Sequence, residues 1–500
     1  MFVFGSSILR TGQARPSRKI PRLADFCAED KTQLISMVVV RGAVRVCDIL
    51  LICALGVAVA MSYVAELSIM DSYYLVAIGL TAVATVAGFD MLGLYSQASF
   101  NSYLRQMPRV LLSWTAAFSL LLAGVFLFKV GYEFSRVWFV TWYAAGIVVL
   151  LAERLVVAGL VRHWTRQGRL YRRAAIYGSG EISEKLLNDL ELDVDADIRI
   201  TGIFDDRGDD RTAPMVAGYP RLGGLSQLVS FARTSRLDLV IVALPITAEK
   251  RVNEVTRSLA VLPAEVKLPA RSTELRFTTS TYSRIGNVAM IDLLEKPIAD
   301  WGSVAKWTFD KLVGGLALLL LAPLMAAVAV AIKLDSRGPV MFRQKRYGFN
   351  NELVEVFKFR SMYVDRCDAT ASKLVTKDDP RVTRVGRFIR KTSIDELPQL
   401  FNVLMGNLSL VGPRPHALEA KAAGNLYDAV VEGYFARHKV KPGITGWAQI
   451  NGWRGETDTP EKILKRVEYD IYYIENWSLL LDVFILLKTP IALLKSENAY

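Results

Sequence analysis

The hydrophobic pattern divides the chain before any motif is considered. Four apolar runs, at 43–64, 73–95, 110–130 and 137–161, follow a polar, basic stretch over residues 1–42. Each approaches the ~20 residues that an α-helix needs to cross a bilayer. Their flanks alternate in charge. Arg10, Arg15, Arg18, Lys19, Arg22 and Arg41 precede the first run, and Glu66 and Asp71 follow it. Arg105 and Arg109 lie between the second and third, while Arg162, Arg166, Arg169, Arg172 and Arg173 follow the fourth. An excess of Lys and Arg marks cytoplasmic loops. The pattern therefore predicts four transmembrane helices over 43–163, with the N-terminus and everything after Arg162 in the cytoplasm. Buried helices of a soluble core would have no need of such flanks.

From 171 to 270 the period changes. Strand-like runs at 174–177, 198–204 and 237–244 alternate with helical stretches, which predicts a Rossmann-like parallel α/β layer. Gly178-Ser179-Gly180 follows the first strand, with Ser183 where a dinucleotide fingerprint has its third glycine. The glycines serve either a nucleotide or only a tight strand-to-helix turn. Residues 271–300 read as a linker. A fifth apolar run, 312–332, carries Pro323 at its middle, with Lys306, Asp310 and Lys311 before it and Lys333 and Arg337 after it.

Composition narrows the partners. At 500 residues, 52% hydrophobic and net charge +12, the chain exceeds one domain and leans towards membrane. No nucleic-acid module is present, so lipid headgroups and phosphorylated substrates are the expected partners of the basic excess. Cys27, Cys47, Cys53 and Cys367 lack metal-ligand spacing and read as reduced thiols. The first 40 residues hold no apolar core, so no cleaved signal peptide is expected.

The densest chemistry lies between 379 and 415. Arg381, Arg384, Arg387, Arg390 and Lys391 precede the pair Asp395-Glu396, and Gly412-Pro413-Arg414-Pro415 closes the segment. Carboxylates beside so many cations are expected to be ionised. An ionised carboxylate can attack phosphorus or hold a divalent cation, while arginines neutralise phosphate oxygens. A bland reading competes here, because Ser393 and Glu396 also fit a capping box, although Pro398 argues against a helix starting at Ser393. Asp379-Pro380-Arg381 predicts a turn in which Asp379 bonds its own backbone. His163, His416 and His438 are far apart in sequence; His438 reads as surface and His416 as a bystander.

Three further motifs follow the same order: Phe342-Arg343-Gln344-Lys345-Arg346 with Gly348, Phe357-Lys358-Phe359-Arg360-Ser361-Met362, and Lys441-Pro442-Gly443-Ile444-Thr445-Gly446. With them, residues 300–500 resemble the bacterial polyisoprenyl-phosphate hexose-1-phosphate transferases. The resemblance implies transfer of a sugar 1-phosphate from a UDP-sugar to undecaprenyl phosphate, releasing UMP, as the initiating step of exopolysaccharide or capsule synthesis. It implies Asp395 as nucleophile, through an aspartyl-phosphosugar, and Glu396 as ligand of a Mg²⁺ that the diphosphate donor requires. Arg387, Arg390 and Arg414 are the expected phosphate contacts, with Arg343, Lys345, Lys358 and Arg360 as further ones.

The resemblance also bears on the fifth apolar run. A full crossing would put the basic segment outside the cell, away from cytoplasmic nucleotide sugars. A re-entrant helix broken at Pro323 over 312–332 avoids this. The expectation is a membrane protein of the bacterial inner membrane. It has a four-helix transmembrane region, a Rossmann-like α/β cytoplasmic domain and a monotopic α-rich catalytic domain over 301–500. Glucose is the expected sugar, because Gly452-Trp453-Arg454-Gly455-Glu456-Thr457 resembles the glucose-specific branch, with galactose as the alternative. A membrane-bound NAD-dependent nucleotide-sugar dehydratase would share the layout, but no tyrosine here has a lysine four residues later. A non-enzymatic export scaffold would have no use for Asp395. Membrane lipid is an expected partner, nucleic acid is not, and a homodimer is left open.

Overall fold

The computed structural model describes residues 35–63, 72–100, 103–192, 198–207, 215–270, 282–364, 379–416, 421–422, 425–426, 433–453 and 459–495. The basic residues Arg10 to Arg22, Glu66, Asp71, Cys27, Cys367 and the segment Arg454–Thr457 lie outside these ranges. The four N-terminal apolar runs are helices: α1 (Met37–Tyr63), α2 (Ser72–Met91), α3 (Tyr103–Leu127) and α4 (Arg136–Arg166). With a later helix, Asp300–Asp335, five helices among the described residues are long and apolar enough to cross a membrane.

A tryptophan stack forms the centre of the first four. Trp114, Trp138 and Trp142 are fully buried. Lipid offers no partner to a ring nitrogen; two of the three find one within the bundle, and Trp142 Nε1 has none among the described residues. Trp138 Nε1 donates to the Gly56 carbonyl at 3.0 Å, and Trp114 Nε1 to the Tyr143 carbonyl at 3.1 Å. One ion pair ties the first helix to the fourth: Arg154 donates to Asp48 at 2.6 Å, and the Tyr95 hydroxyl donates to the same carboxylate at 2.7 Å.

The middle of the chain forms one eight-stranded sheet. Its strands are β1 (Arg172–Tyr177), β2 (Ile198–Phe204), β3 (Met215–Val216), β4 (Tyr219–Gly223), β5 (Leu239–Val242), β6 (Glu265–Pro269), β7 (Tyr282–Ile285) and β8 (Val288–Leu294), in the order β3-β4-β2-β1-β5-β6-β8-β7. From β4 to β6 the strands are parallel, connected by α5 (Glu181–Leu192), α6 (Leu225–Ser235) and α7 (Glu249–Leu259). The expected linker needs correction. Residues 282–294 form an antiparallel hairpin that extends the sheet beyond β6. Gly286-Asn287, with Gly286 at φ +56°, is the two-residue turn that closes it.

The glycine turn after β1 is closed on its own groups. Gly178 sits at φ +112°, and a Cβ there would lie 2.7 Å from the Ala243 carbonyl oxygen. Ser183 donates to the Gly178 carbonyl at 2.6 Å, and Asp205 accepts from the Ser179 amide and hydroxyl at 2.7 and 2.6 Å.

The last 200 residues begin with α8 (Asp300–Asp335), a 36-residue helix. It runs without interruption through Pro323, where a break was expected. One missing amide removes a single hydrogen bond, and the turns on either side keep theirs. After it come the hairpin β9 (Met341–Tyr347) and β10 (Leu353–Phe359), then α9 (Arg384–Lys391) and α10 (Gln399–Met405). The short parallel pair β11 (Ser409–Val411) and β12 (Gly443–Thr445) follows, then α11 (Pro460–Glu475) and α12 (Leu479–Lys495).

The Arg154 guanidinium also lies 3.3 Å from the buried Glu153 carboxylate. Arg154→Met leaves the Asp48 and Glu153 carboxylates buried without their cation, so it lowers stability by about 3–5 kcal/mol. Adding Asp48→Leu removes the more deeply buried of the two stranded groups and restores part of that loss. Thermal unfolding in detergent of the two single variants and the double variant measures the difference. A double variant no better than Arg154→Met alone would show that packing, not charge, sets the cost.

Candidate active site

The β9–β10 hairpin supplies the floor of the site. Directly opposed residues share a face of an antiparallel pair, and here Lys358 opposes Phe342, Val356 opposes Gln344, and Val354 opposes Arg346. Lys358, Gln344 and Arg346 therefore occupy one face. Arg343, Lys345 and Tyr347 occupy the other, with Phe357, Glu355 and Leu353. The free edge of β10 is held by Asn402, which accepts from the Phe357 amide at 2.9 Å and donates to the Glu355 carbonyl at 2.7 Å. This fixes α10, and the turn just before it, against the hairpin.

That turn carries the carboxylates. Helix α9 is capped by Thr383, whose hydroxyl accepts from the Gly386 amide at 2.9 Å. Asp335 at the end of α8 accepts from the Val385 amide at 3.0 Å. Gly386 is obligatory, because a Cβ would sit 2.0 Å from the Ser361 carbonyl oxygen. The chain leaves α9 through Ser393, held at φ +59°, and makes one 3₁₀ turn over Ile394–Glu396 before Pro398 opens α10. The Ser393 side chain makes no capping bond, so the capping box is not formed. Glu396 turns elsewhere.

Glu396 is clamped between two cations. Lys358 donates to Oε1 at 2.8 Å, and Arg414 donates to Oε1 at 2.5 Å and to Oε2 at 3.0 Å. Burial pushes its pKa up, but Arg414 and Lys358 outweigh burial and hold it well below the usual carboxylate value. Asp395 behaves differently. Burial raises its pKa, and the pull of Lys358, Arg390 and Arg414, opposed by the charge of Glu396, does not cancel that rise. The expectation that both carboxylates ionise with ease is therefore corrected for Asp395: desolvation wins. Its carboxylate also makes no hydrogen bond or ion pair with the described residues, in contrast to Glu396.

Arg414 is itself held from behind. Arg437 donates to the Arg414 carbonyl at 2.9 Å and pairs with Asp470 at 2.5 Å, both fully out of solvent. Arg346 donates to the Pro415 carbonyl at 2.6 Å. The two glycine motifs meet backbone to backbone: a Cβ on Gly443 would lie 2.1 Å from the Gly412 amide nitrogen.

The expected site residues separate into two groups. Asp395, Glu396, Lys358, Arg414 and Arg390 share one field of charge. Arg343 and Lys345 are corrected to the opposite face of the hairpin, where Arg343 is exposed and lies over the Phe357 ring. Arg360 is corrected to a structural role: it is buried and donates to the Ser336 carbonyl at 2.8 Å and to the Arg337 carbonyl, closing the end of α8. Arg387 lies on the exposed face of α9.

Arg346 was not singled out, yet it faces the carboxylates. Burial, with the nearby charge of Arg414, lowers its pKa to about 10. Two-residue alternation with Lys358 across the hairpin was the available signal. Asp379 does accept from the Arg381 amide at 2.9 Å, as the turn predicted. His438 is not at the surface: it is 5% exposed, beside Tyr347 and Tyr434, and burial lowers its pKa to about 3. His416 packs on the same Tyr434.

Among the described residues no three His, Cys, Asp or Glu side chains come together as a metal site. The hard oxygens nearest for Mg²⁺ are those of Asp395, unbonded among the described residues, and those of Glu396, which would have to be shared with Lys358 and Arg414. This fits a cation that commonly takes only one or two protein carboxylates and fills its shell with phosphate and water.

Comparison with known proteins agrees with this layout. The bacterial sugar transferase family model matches residues 301–496, and a CoA-binding domain model matches 90–270. The undecaprenyl-phosphate glucose phosphotransferase of Komagataeibacter xylinus is 42% identical, over 72% of this chain and 66% of its own length. The UDP-glucose:undecaprenyl-phosphate glucose-1-phosphate transferase of Xanthomonas campestris pv. campestris is 34% identical over 91% of this chain and 94% of that protein. Its namesake in Escherichia coli (strain K12) is 35% identical over 84% and 89%. The chain belongs to the bacterial sugar transferase family.

Proposed function

We propose that the chain transfers glucose 1-phosphate from UDP-glucose to undecaprenyl phosphate and releases UMP, opening the assembly of an exopolysaccharide or capsule. The observation that carries this reading is the asymmetry of the carboxylate pair: Glu396 is clamped by Lys358 and Arg414, whereas Asp395 is left unbonded beside it. The names of the relatives support the donor and the acceptor. None of them points to a dehydratase.

The reaction divides into two displacements. Asp395 Oδ attacks the sugar-proximal phosphorus of UDP-glucose, and the bond from that phosphorus to the bridging oxygen breaks, so UMP leaves. A phosphate oxygen of undecaprenyl phosphate then attacks the same phosphorus, and the Asp395 carboxylate departs with its electron pair. Lys358, Arg346, Arg390 and Arg414 supply positive charge for the equatorial oxygens, the main task of a phosphoryl-transfer site. Mg²⁺, held by Glu396 together with the donor phosphates, would neutralise the diphosphate.

The membrane reading rests on α8. Lys306 donates to the Val411 carbonyl at 2.9 Å and to Asp482 at 2.7 Å, and Lys311 donates to the Val403 carbonyl at 3.1 Å. At the other end Met325, Val328 and Ile332 pack with Phe359 and Ile389. Lys306 and Ile332 are roughly 39 Å apart along a straight helix at 1.5 Å per residue, more than the ~30 Å hydrocarbon core. One folded unit thus touches α8 on both sides of Pro323, which argues against a full crossing and supports a helix held on the cytoplasmic face. Leu312, Leu319 and Leu320 are each about 70% exposed and offer the surface that lipid would cover.

Five outcomes follow. With Mg²⁺ and undecaprenyl phosphate, the purified protein releases UMP continuously from UDP-glucose in preference to UDP-galactose, and without the lipid UMP release stops at about one equivalent per protein, the burst expected of a covalent intermediate. Asp395→Asn lowers turnover by at least about 10³-fold while leaving the melting temperature unchanged; wild-type-like turnover would remove the nucleophile from the scheme. Arg346→Met lowers kcat by about 10²-fold, the size of one lost electrostatic contact. For pH, a raised Asp395 pKa means that the ionised nucleophile is lost as pH falls through a value above the ordinary ~4. The acid limb of kcat/KM therefore lies above that value, and a limb at or below it contradicts the assignment. Finally, a tag after Tyr500 stays protected from protease in sealed spheroplasts; cleavage there defeats the one-sided placement of α8.

A further inference from the structure

A cavity lies at the tip of the β9–β10 hairpin, where the sheet domain meets the catalytic domain. It encloses about 360 Å³ between Arg233 and Thr234 of α6, Tyr347, Asn351 and Glu352 of the hairpin, and Phe435. Its walls are fixed. Arg236 clamps Glu352 with two hydrogen bonds of 2.8 and 2.7 Å, and Asn350 donates to the Arg233 carbonyl at 3.2 Å. Asn350 and Asn351 hold consecutive left-handed conformations, φ +53° and +61°, and Asn351 Oδ1 is bonded to His438 Nδ1.

The polar groups left over in this cavity are donors. The Arg233 guanidinium is half-buried, lies 5.0 Å from the Phe435 ring centre, and has no hydrogen bond or ion pair among the described residues. The Tyr347 hydroxyl has none either. Asn351 spends its oxygen on His438 and keeps its NH₂. The one carboxylate in the wall, Glu352, is already neutralised by Arg236. A half-desolvated guanidinium without an anion is an unsatisfied charge. A planar fork beside further donors suits phosphate. The volume, at the lower end of small-molecule pockets, exceeds what a lone phosphate fills, and the Tyr347 and Phe435 rings offer apolar surface to a base or sugar.

We propose that this interdomain cavity binds an organic phosphate of mononucleotide size, its phosphate on Arg233, Tyr347 and Asn351, and its remaining body against the Phe435 side. Such a ligand bridges α6 to the hairpin. Tyr347 directly precedes the turn and directly follows Arg346, whose side chain faces the carboxylates. A ligand at the tip therefore stiffens the strands that deliver Arg346 and Lys358. Binding itself does not depend on the reaction proposed above; only its effect on turnover does.

The test titrates the full chain in lipid nanodiscs with AMP, UMP and inorganic phosphate by calorimetry. AMP is read first, because UMP, as the proposed product, also has the catalytic site to occupy. We expect saturable nucleotide binding that Arg233→Gln weakens about tenfold, equivalent to about 1.4 kcal/mol, and that Tyr347→Phe weakens several-fold. Tyr347→Phe keeps the ring, so it preserves the test should Arg233→Gln unfold the protein. Absence of binding by every probe overturns the proposal, as does equal binding by wild type and both variants. Inorganic phosphate binding as tightly as AMP overturns the nucleotide class. Absent UMP release by a wild type that still binds AMP at Arg233 would instead count against the transferase reading alone.

Discussion

Glu396 sits where water cannot reach it well, and its charge survives there only because Lys358 and Arg414 reach it from two different elements. A buried carboxylate that loses its partner costs several kcal/mol, so everything that holds those two cations becomes necessary to the fold. Lys358 comes from β10, whose edge depends on the Asn402 amide. Arg414 comes from a loop pinned by Arg437 and Arg346 and packed on Gly443. The clamp thus joins hairpin, turn and loop into one rigid cradle. Four cations, Lys358, Arg346, Arg390 and Arg414, then face two carboxylates. Among the described residues these two carboxylates do not balance the four cations, and a diphosphate is the kind of ligand that would match the surplus.

The same cradle is tied to the membrane helix. Lys306 of α8 bonds both the Val411 carbonyl, one residue before Gly412, and Asp482 of α12, which also accepts from the Tyr473 hydroxyl at 2.8 Å. A displacement of α8 relative to the domain therefore acts directly on the strand that leads to Arg414. For the proposed reaction, whose acceptor is a lipid phosphate, this coupling would fix the height of the Arg414 loop relative to the apolar surface of α8 and α12. The exposed Leu480 and Leu487 of α12 continue that surface.

How much of this was legible in the sequence depended on the physics of each element. The apolar runs were long and flanked by charge, and they are helices; the strands of the middle domain were short, apolar and separated by helical stretches, and they pair as expected. The hairpin over 282–294 was missed because its signal was a two-residue Gly286-Asn287 turn inside what read as a linker. Within the site, Asp395, Glu396, Lys358 and Arg414 were readable as a motif, but the sorting of Arg343, Lys345 and Arg346 was not. That sorting needs the strand register, and shifting it by one residue exchanges the faces. Arg360 illustrates a different limit, because a basic residue inside a basic motif gives no sequence sign that its donors are spent on the carbonyls of a helix end.

The opposite shifts of Asp395 and Glu396 follow from one cause seen from two positions. Both lose water, which favours the neutral acid. Glu396 recovers the loss by direct hydrogen bonds from charged donors, which strengthen in a low-dielectric site. Asp395 feels the same cations only at a distance, so its charge is stabilised less than its burial destabilises it. For a nucleophile this is useful. A carboxylate bonded as tightly as Glu396 would have to give up those bonds to attack phosphorus, whereas Asp395 has none to break. Weak stabilisation of the anion also keeps it basic, hence more nucleophilic, while the neighbouring cations oppose the rise that burial imposes. In the proposed scheme the dyad divides its labour through environment: Glu396 is bonded to protein cations, and Asp395 is left unbonded for the substrate.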